Sequence, residues 1–131
     1  MTTILKEWSE LAGFESPALD QSGNLVLALD DGDVLISQHG DMVVVTAAAG
    51  SLSEAADPDA LLGNLLEANF LWRQTSGFTC ALADDDEHLF LQDAHPVNWF
   101  GSGEGFADYL ANLSDARQMV RGLLGQKGTE A

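Results

Sequence analysis

Apolar residues recur at helical spacing from the first turn of the chain. Ile4, Leu5, Trp8, Leu11 and Ala12 fall on one side of residues 3–14, with Lys6, Glu7, Ser9 and Glu10 on the other. This predicts an amphipathic helix that stops at Gly13 and before Pro17, which biases Ser16 away from helical angles. From residue 24 to 29 the period changes to two, with Leu25, Leu27 and Leu29 on one face and Val26 and Ala28 on the other. Asp30-Asp31-Gly32-Asp33 supplies turn residues, and Val34, Leu35 and Ile36 begin a second strand. His39-Gly40-Asp41 turns again into the β-branched run Met42-Val43-Val44-Val45-Thr46. Connections this short predict an antiparallel meander, because parallel crossovers need a dozen or more residues.

Residues 47–56, small and partly glycine, read as a bridge to the next element. Asp57-Pro58-Asp59 then combines a capping carboxylate, a proline at the first helical position and a second acid suited to the macrodipole. The predicted helix runs to about Gln74 and carries Leu61, Leu62, Leu65, Leu66, Phe70 and Trp72 around most of its circumference, so it is expected to be buried on more than one side. Gly77 opens a strand, Phe78 to Leu82; Asp84-Asp85-Asp86-Glu87 turns into another, His88 to Gln92, and Pro96 ends it. Gly101-Ser102-Gly103-Glu104-Gly105 reads as a flexible connection before a last helix bearing Phe106, Tyr109, Leu110, Leu113, Val120, Leu123 and Leu124. The predicted order is αβββαββα, an α+β fold in which a twisted, mainly antiparallel sheet packs against helices on one face and leaves the other face polar or free for a partner. No repeat or long linker divides the 131 residues, so one domain is expected, with a frayed tail over 125–131.

Five Lys and Arg stand against 21 Asp and Glu, a formal charge of −16, yet 46% of the chain is hydrophobic. Acidic disorder needs few apolar residues, so the composition is that of a folded protein with a repulsive surface. Such a chain repels phosphates and anionic lipid, which argues against nucleic acid or membrane as a direct partner. The lone Cys80 excludes an internal disulfide, no run approaches a membrane span, and residues 1–10 lack the basic and apolar regions of a signal peptide. A cytoplasmic location is expected.

The candidate chemistry is thin. The acidic turns at 30–33 and 84–87 lack the alternating ligand spacing of an EF-hand, and hairpin turns select Asp and Gly for backbone reasons alone, so no metal is expected. His39, His88 and His95 are too scattered for zinc or a charge relay. His88 could approach Cys80 from the next strand, but Cys80 reads better as a small packing residue. The glycine-rich stretch before the last helix carries Glu104 where a phosphate loop carries a cation. Trp8, Trp72 and Trp99 have no basic residues interleaved for base stacking. No ordered nucleophile, base and oxyanion donor can be named, so no enzymatic activity is expected. Apolar surface, by contrast, exceeds what one small core hides, and such patches mark interaction sites.

The segment from Leu61 through Leu62, Leu65, Leu66, Ala68, Asn69 and Trp72, followed by Gly77-Phe78 and the hairpin through Leu89, Leu91 and Pro96, resembles the class I chaperones of type III secretion systems. The resemblance covers the double-leucine helix ending in Ala-Asn, the Gly-led strand, the acidic turn and the Leu-x-Leu strand, as well as element order, length and acidity. It implies a homodimer that binds the N-terminal region of a secreted effector in extended form, without ATP, metal or other cofactor, and it admits the secretion ATPase as a further partner. It also implies a dimer interface on the second helix and the strand after it, at Leu71, Trp72, Phe78, Cys80 and Leu82. Effector contacts are expected at Ile4, Leu5 and Trp8 of the first helix and at Val26, Ala28, Ile36 and Val44 of the sheet. The competing reading is an acidic immunity or inhibitor protein that masks a basic partner. The charge itself reads as what keeps an apolar surface soluble rather than as the binding signal.

Overall fold

The computed structural model describes residues 1–13, 15–70, 75 and 77–125. Its elements follow the predicted order: α1 (Thr2–Ala12), β1 (Asn24–Leu29), β2 (Gly32–His39), β3 (Met42–Ser51), α2 (Pro58–Ala68), β4 (Thr79–Leu82), β5 (His88–Pro96) and α3 (Gly103–Leu124), with short 3-10 turns at Leu52–Glu54 and Val97–Phe100. The strands form one sheet in the order β1-β2-β3-β5-β4, each neighbour antiparallel. Register sorts the side chains. Leu27, Val34, Ala47, Leu91 and Cys80 lie in one row across the sheet, and Val26, Leu35, Thr46, Gln92 and Thr79 in the adjacent row on the opposite face. The first face holds the core, beneath α1 and α3.

Local signals explain the helix ends. Gly13, at φ 82°, closes α1 with its N–H on the Ser9 carbonyl at 2.8 Å. Asp57 caps α2 by accepting from the Ala60 N–H at 3.1 Å, and Ser102 caps α3 by accepting from the Gly105 N–H at 3.2 Å.

Three segments differ from the sequence reading. Residues 47–51, expected in a bridge, continue β3 and pair with β5, because Ala47 and Ala49 are the small side chains that fit beneath the helices. A bulge near Gly50 lets α3 close over the strand, since a Cβ there would stand 2.3 Å from Leu124 Cδ1. The glycine-rich stretch before α3 is a close crossing, not a flexible connection: a Cβ on Gly103 would meet Trp8 N at 2.4 Å and Glu7 C at 2.5 Å. Finally, α2 ends at Ala68, residues 71–74 of the predicted helix lying outside the described residues, and Asn69 turns onto β4. Its side chain accepts from the Cys80 N–H at 2.8 Å and donates to the Cys80 carbonyl at 3.1 Å, so helix and strand edge are locked together.

The core is aromatic at the end where α1 and α3 meet. Trp8 stands edge-on to Phe106 at 5.4 Å, and Phe78 tilts against Tyr109 at 5.1 Å. At the other end of the sheet the side chain of Arg117 is fully buried beneath the β1–β2 turn. Its Nη2 donates to the Asp33 carbonyl at 3.0 Å, its Nη1 lies 3.5 Å from Asp31 Oδ1, and Arg121 donates to the Asp31 carbonyl. Gly32 at φ 135° permits this approach, since a Cβ would sit 2.5 Å from Arg117 Nη1.

Candidate functional site

The edges of the sheet are β4, where Asn69 meets Cys80, and β1, whose backbone is half unpaired. The Gln38 N–H donates to the Gly23 carbonyl at 2.8 Å, so antiparallel alternation turns Leu25, Leu27 and Leu29 toward β2 and directs the N–H and C=O groups of Val26 and Ala28 away from the sheet. Beside this edge lie two depressions, of about 400 and about 370 Å³, which share Trp8, Leu29 and Asp30 as a common wall. Together they form a trough. Its sides are Val26, Leu27 and Pro17 toward the strand and Ala107, Leu110 and Ala111 toward α3.

A second apolar surface is the uncovered face of the sheet. Val26 is 59% exposed there, with Leu35, Val44, Ala48 and Phe90 across neighbouring strands. A third lies where α2 meets β4, a cleft of about 180 Å³ between Leu62, Leu66, Cys80, Leu82 and Leu89. Leu66 and Phe70 are each 72% exposed beside it.

The predicted site residues divide accordingly. Val26 and Ala28 are exposed at the edge strand, and Val44 is half-buried on the uncovered face. Trp8, only 8% exposed, is a core residue whose indole nonetheless walls the trough. Ile4 and Leu5 are buried in the core, because α3 covers the face of α1 that they share. Ile36 is buried too: it pairs with Leu25 and Val45 on the core face, opposite to the face of Val26 and Val44, and Leu35 occupies the exposed position instead. Carrying the alternation through the two-residue turn opposes Val26 to Leu35 and would have found it. Among the interface candidates, Phe78 is in the core against Tyr109, Cys80 is half-buried and Leu82 exposed in the α2–β4 cleft, and Leu71 and Trp72 lie outside the described residues.

Titratable groups serve the fold. Burial pushes the Cys80 thiol up to about 11, so it is protonated and poorly nucleophilic at neutral pH. Asp93 Oδ2 accepts from the Tyr109 hydroxyl at 2.9 Å and lies 2.8 Å from His95 Nε2, while Trp99 stacks on the His95 ring at 3.6 Å. Burial, then Asp93, drives the Tyr109 hydroxyl above its ordinary range. Among the described residues no group of three or more His, Cys, Asp or Glu is placed to hold a metal ion. In the 84–87 turn, Asp85 accepts from the backbone N–H groups of His88 and Glu87, each at 3.0 Å, and pairs with the His88 ring. The His88 N–H, then its ring, then the Glu87 N–H hold the Asp85 carboxyl down at about 2, and Asp85 raises His88 above 6.5.

The pair makes a direct test of this geometry. A proton-NMR titration should give His88 a midpoint above 6.5, and Asp85→Asn should bring that midpoint down. By linkage, the His88 contribution to stability is present below 6.5 and lost as pH rises through the folded value. The Asp85 contribution is present above the ordinary 3.8 and lost as pH falls toward about 2. Solvent screens both groups, so the midpoint rather than the stability is the sensitive readout.

A trough beside a half-free edge strand, an uncovered apolar sheet face and an apolar cleft between β4 and α2, which buries only the face of Leu61, Leu65 and Ala68, are the features of a protein-binding module. The chain belongs to the Tir chaperone protein (CesT) family, whose sequence model matches residues 3–121. Among curated proteins none matches it by sequence. Solved structures with the same fold include the Yersinia pestis type III secretion chaperone SycH in complex with a stable fragment of YscM2, at 23% identity over 91% of this chain and 98% of that one, TM-score 0.72. The ExsC–ExsE complex matches at 19% identity over 92% of this chain and 90% of that one, TM-score 0.76. The HopA1–SchA chaperone–effector complex matches at 15% identity over 95% and 92%, TM-score 0.70. No helix among the described residues is long and apolar enough to cross a membrane.

Proposed function

We propose that this protein is a cytoplasmic, ATP-independent type III secretion chaperone that acts as a homodimer, holding the N-terminal region of a secreted effector soluble and competent for export. Family membership over residues 3–121 is the observation that carries this reading. The trough and edge strand supply its physical means. An extended client segment can add to β1 through the outward N–H and C=O groups of Val26 and Ala28 while lodging apolar side chains against Trp8 and Leu29. Val44, Leu35 and Phe90 offer a further apolar surface to a segment that continues across the sheet. For the dimer, the α2–β4 cleft is the surface of choice: Leu66, Phe70, Leu82 and the half-buried Cys80 would be covered by the same surface of a second copy. Chaperoning by burial needs no catalytic group, which suits the absence of a role for ATP in this reading.

The test is co-expression with candidate effectors, beginning with the products of neighbouring genes. Light scattering should return a complex of two chaperones per effector. Val26→Glu should weaken capture about ten-fold by placing a charge at the apolar edge, with the chaperone mass unchanged. Leu66→Asp combined with Leu82→Asp should instead halve the mass of the free protein. If the effector's N-terminal segment neither binds nor gains solubility, the chaperone reading fails.

A further inference from the structure

We propose that the segment seated in the β1 trough is basic as well as apolar, and that Asp30 and Glu15 are the residues that select it. The inference rests on the chaperone reading above and specifies the chemistry of the client. The trough is lined by apolar Trp8, Leu29 and Leu110, and carboxylates line it too: Asp30 borders both depressions, Asp31 the smaller and Glu15 the larger. Among the described residues no Lys or Arg lines either depression.

The carboxylates of the β1–β2 turn are not equivalent. Asp31 faces the buried Arg117, and the Asp31 and Asp33 carbonyls accept from Arg121 and Arg117. These contacts use two of the chain's five cations and hold the turn against α3. Asp30 stays exposed, with no cation paired to it among the described residues, as does Glu15. The same clasp therefore fixes one carboxylate inward and presents the next at the mouth of an apolar trough. A client strand beside β1 alternates its side chains between two faces. Apolar residues on the trough side gain burial, while Lys or Arg at the flanks gain a carboxylate that has no cation paired to it among the described residues. An acidic segment with the same apolar residues would meet uncompensated repulsion, so the rim discriminates between segments that the floor alone accepts.

The experiment uses the intact protein and overlapping 15-residue peptides spanning the N-terminal region of the effector captured by co-expression. Bound peptides should carry Lys or Arg flanking apolar residues. In fluorescence anisotropy, replacing those Lys and Arg by Gln should weaken binding by about three-fold per rim contact. Asp30→Asn with Glu15→Gln should abolish that charge preference while a thermal melt shows the fold retained; Asp84→Asn, in the distant acidic turn, should leave it intact. Equal binding of the Lys/Arg and Gln peptides, or a preference that survives Asp30→Asn with Glu15→Gln, overturns the inference and leaves the chaperone reading standing. If no peptide binds and no effector is captured, the chaperone reading falls and this inference falls with it.

Discussion

Gly103→Ala should unfold more readily than the parent protein by about 3 kcal/mol or more, a drop of roughly 10 °C or greater in melting temperature. The added methyl would lie 2.4 Å from Trp8 N and 2.5 Å from Glu7 C. Both are backbone atoms, so no side-chain rotation relieves the overlap, and α1 must move bodily away from α3. That movement would strip contacts from Trp8, whose indole is edge-on to Phe106 at 5.4 Å, and would widen the trough that Trp8 walls. Stability and client affinity should therefore fall together. Gly63→Ala provides the contrast: it lies within α2 with nothing within 4 Å of the added Cβ, and should stabilise the protein by about 0.5–1 kcal/mol through helix propensity. Differential scanning calorimetry of the two variants checks both signs. A Gly103→Ala protein that melts with the parent would mean that the two helices do not cross this closely.

The contrast between these glycines also shows what could be read from the chain and what could not. Element order was legible because each element carries its own period: β1 alternates cleanly, and Asp57-Pro58 marks the start of α2 by local chemistry alone. The family resemblance was legible for a related reason, since Asn69, at the end of the double-leucine helix, clamps the backbone of Cys80 and so has a local structural use. Close approach has no such local signature. Ala47 and Ala49 look like linker residues by propensity, and only the helices packed above them make small side chains the right ones for a strand. Gly103 and Gly105 look flexible for the same reason; a Cβ on Gly105 would stand 2.2 Å from the Phe100 carbonyl oxygen. Which face of an element another element covers could not be read from the chain. The stripe of Ile4 and Leu5 is evident in the sequence, but its covering by α3 is a tertiary fact. In the sequence, charge is a global property that keeps the protein soluble. The structure adds a local distinction: both Asp30 and Asp31 border the trough, but Asp31 lies 3.5 Å from the Arg117 guanidinium while Asp30 has no cation paired to it among the described residues.

That distinction depends on Arg117, and Arg117→Ala should be among the most damaging single substitutions, at about 3–5 kcal/mol. Burial lowers the affinity of the guanidinium for its proton and Asp31 opposes the effect, which is the signature of a cation tolerated inside only because a carboxylate is there to meet it. Removing the side chain leaves the inward Asp31 charge without its counterion, takes the hydrogen bond from the Asp33 carbonyl and opens a void beneath Gly32. Asp31→Asn alone should also destabilise, by leaving the guanidinium without its counter-charge. The double variant Arg117→Met with Asp31→Asn should lose less than the sum of the two single changes, since an apolar chain fills the space and no unpaired charge remains. Urea unfolding of the four proteins reads this coupling, and additive losses would sink the account of a charge pair. Hydrogen exchange supplies the functional half: in Arg117→Ala the amides of the 30–33 turn should exchange faster than those of the 84–87 turn, which Arg117 does not touch. Once the turn moves, Asp30 no longer stands at a fixed place on the trough rim, so basic peptides should lose their advantage over Gln-substituted ones even though every trough residue is still present.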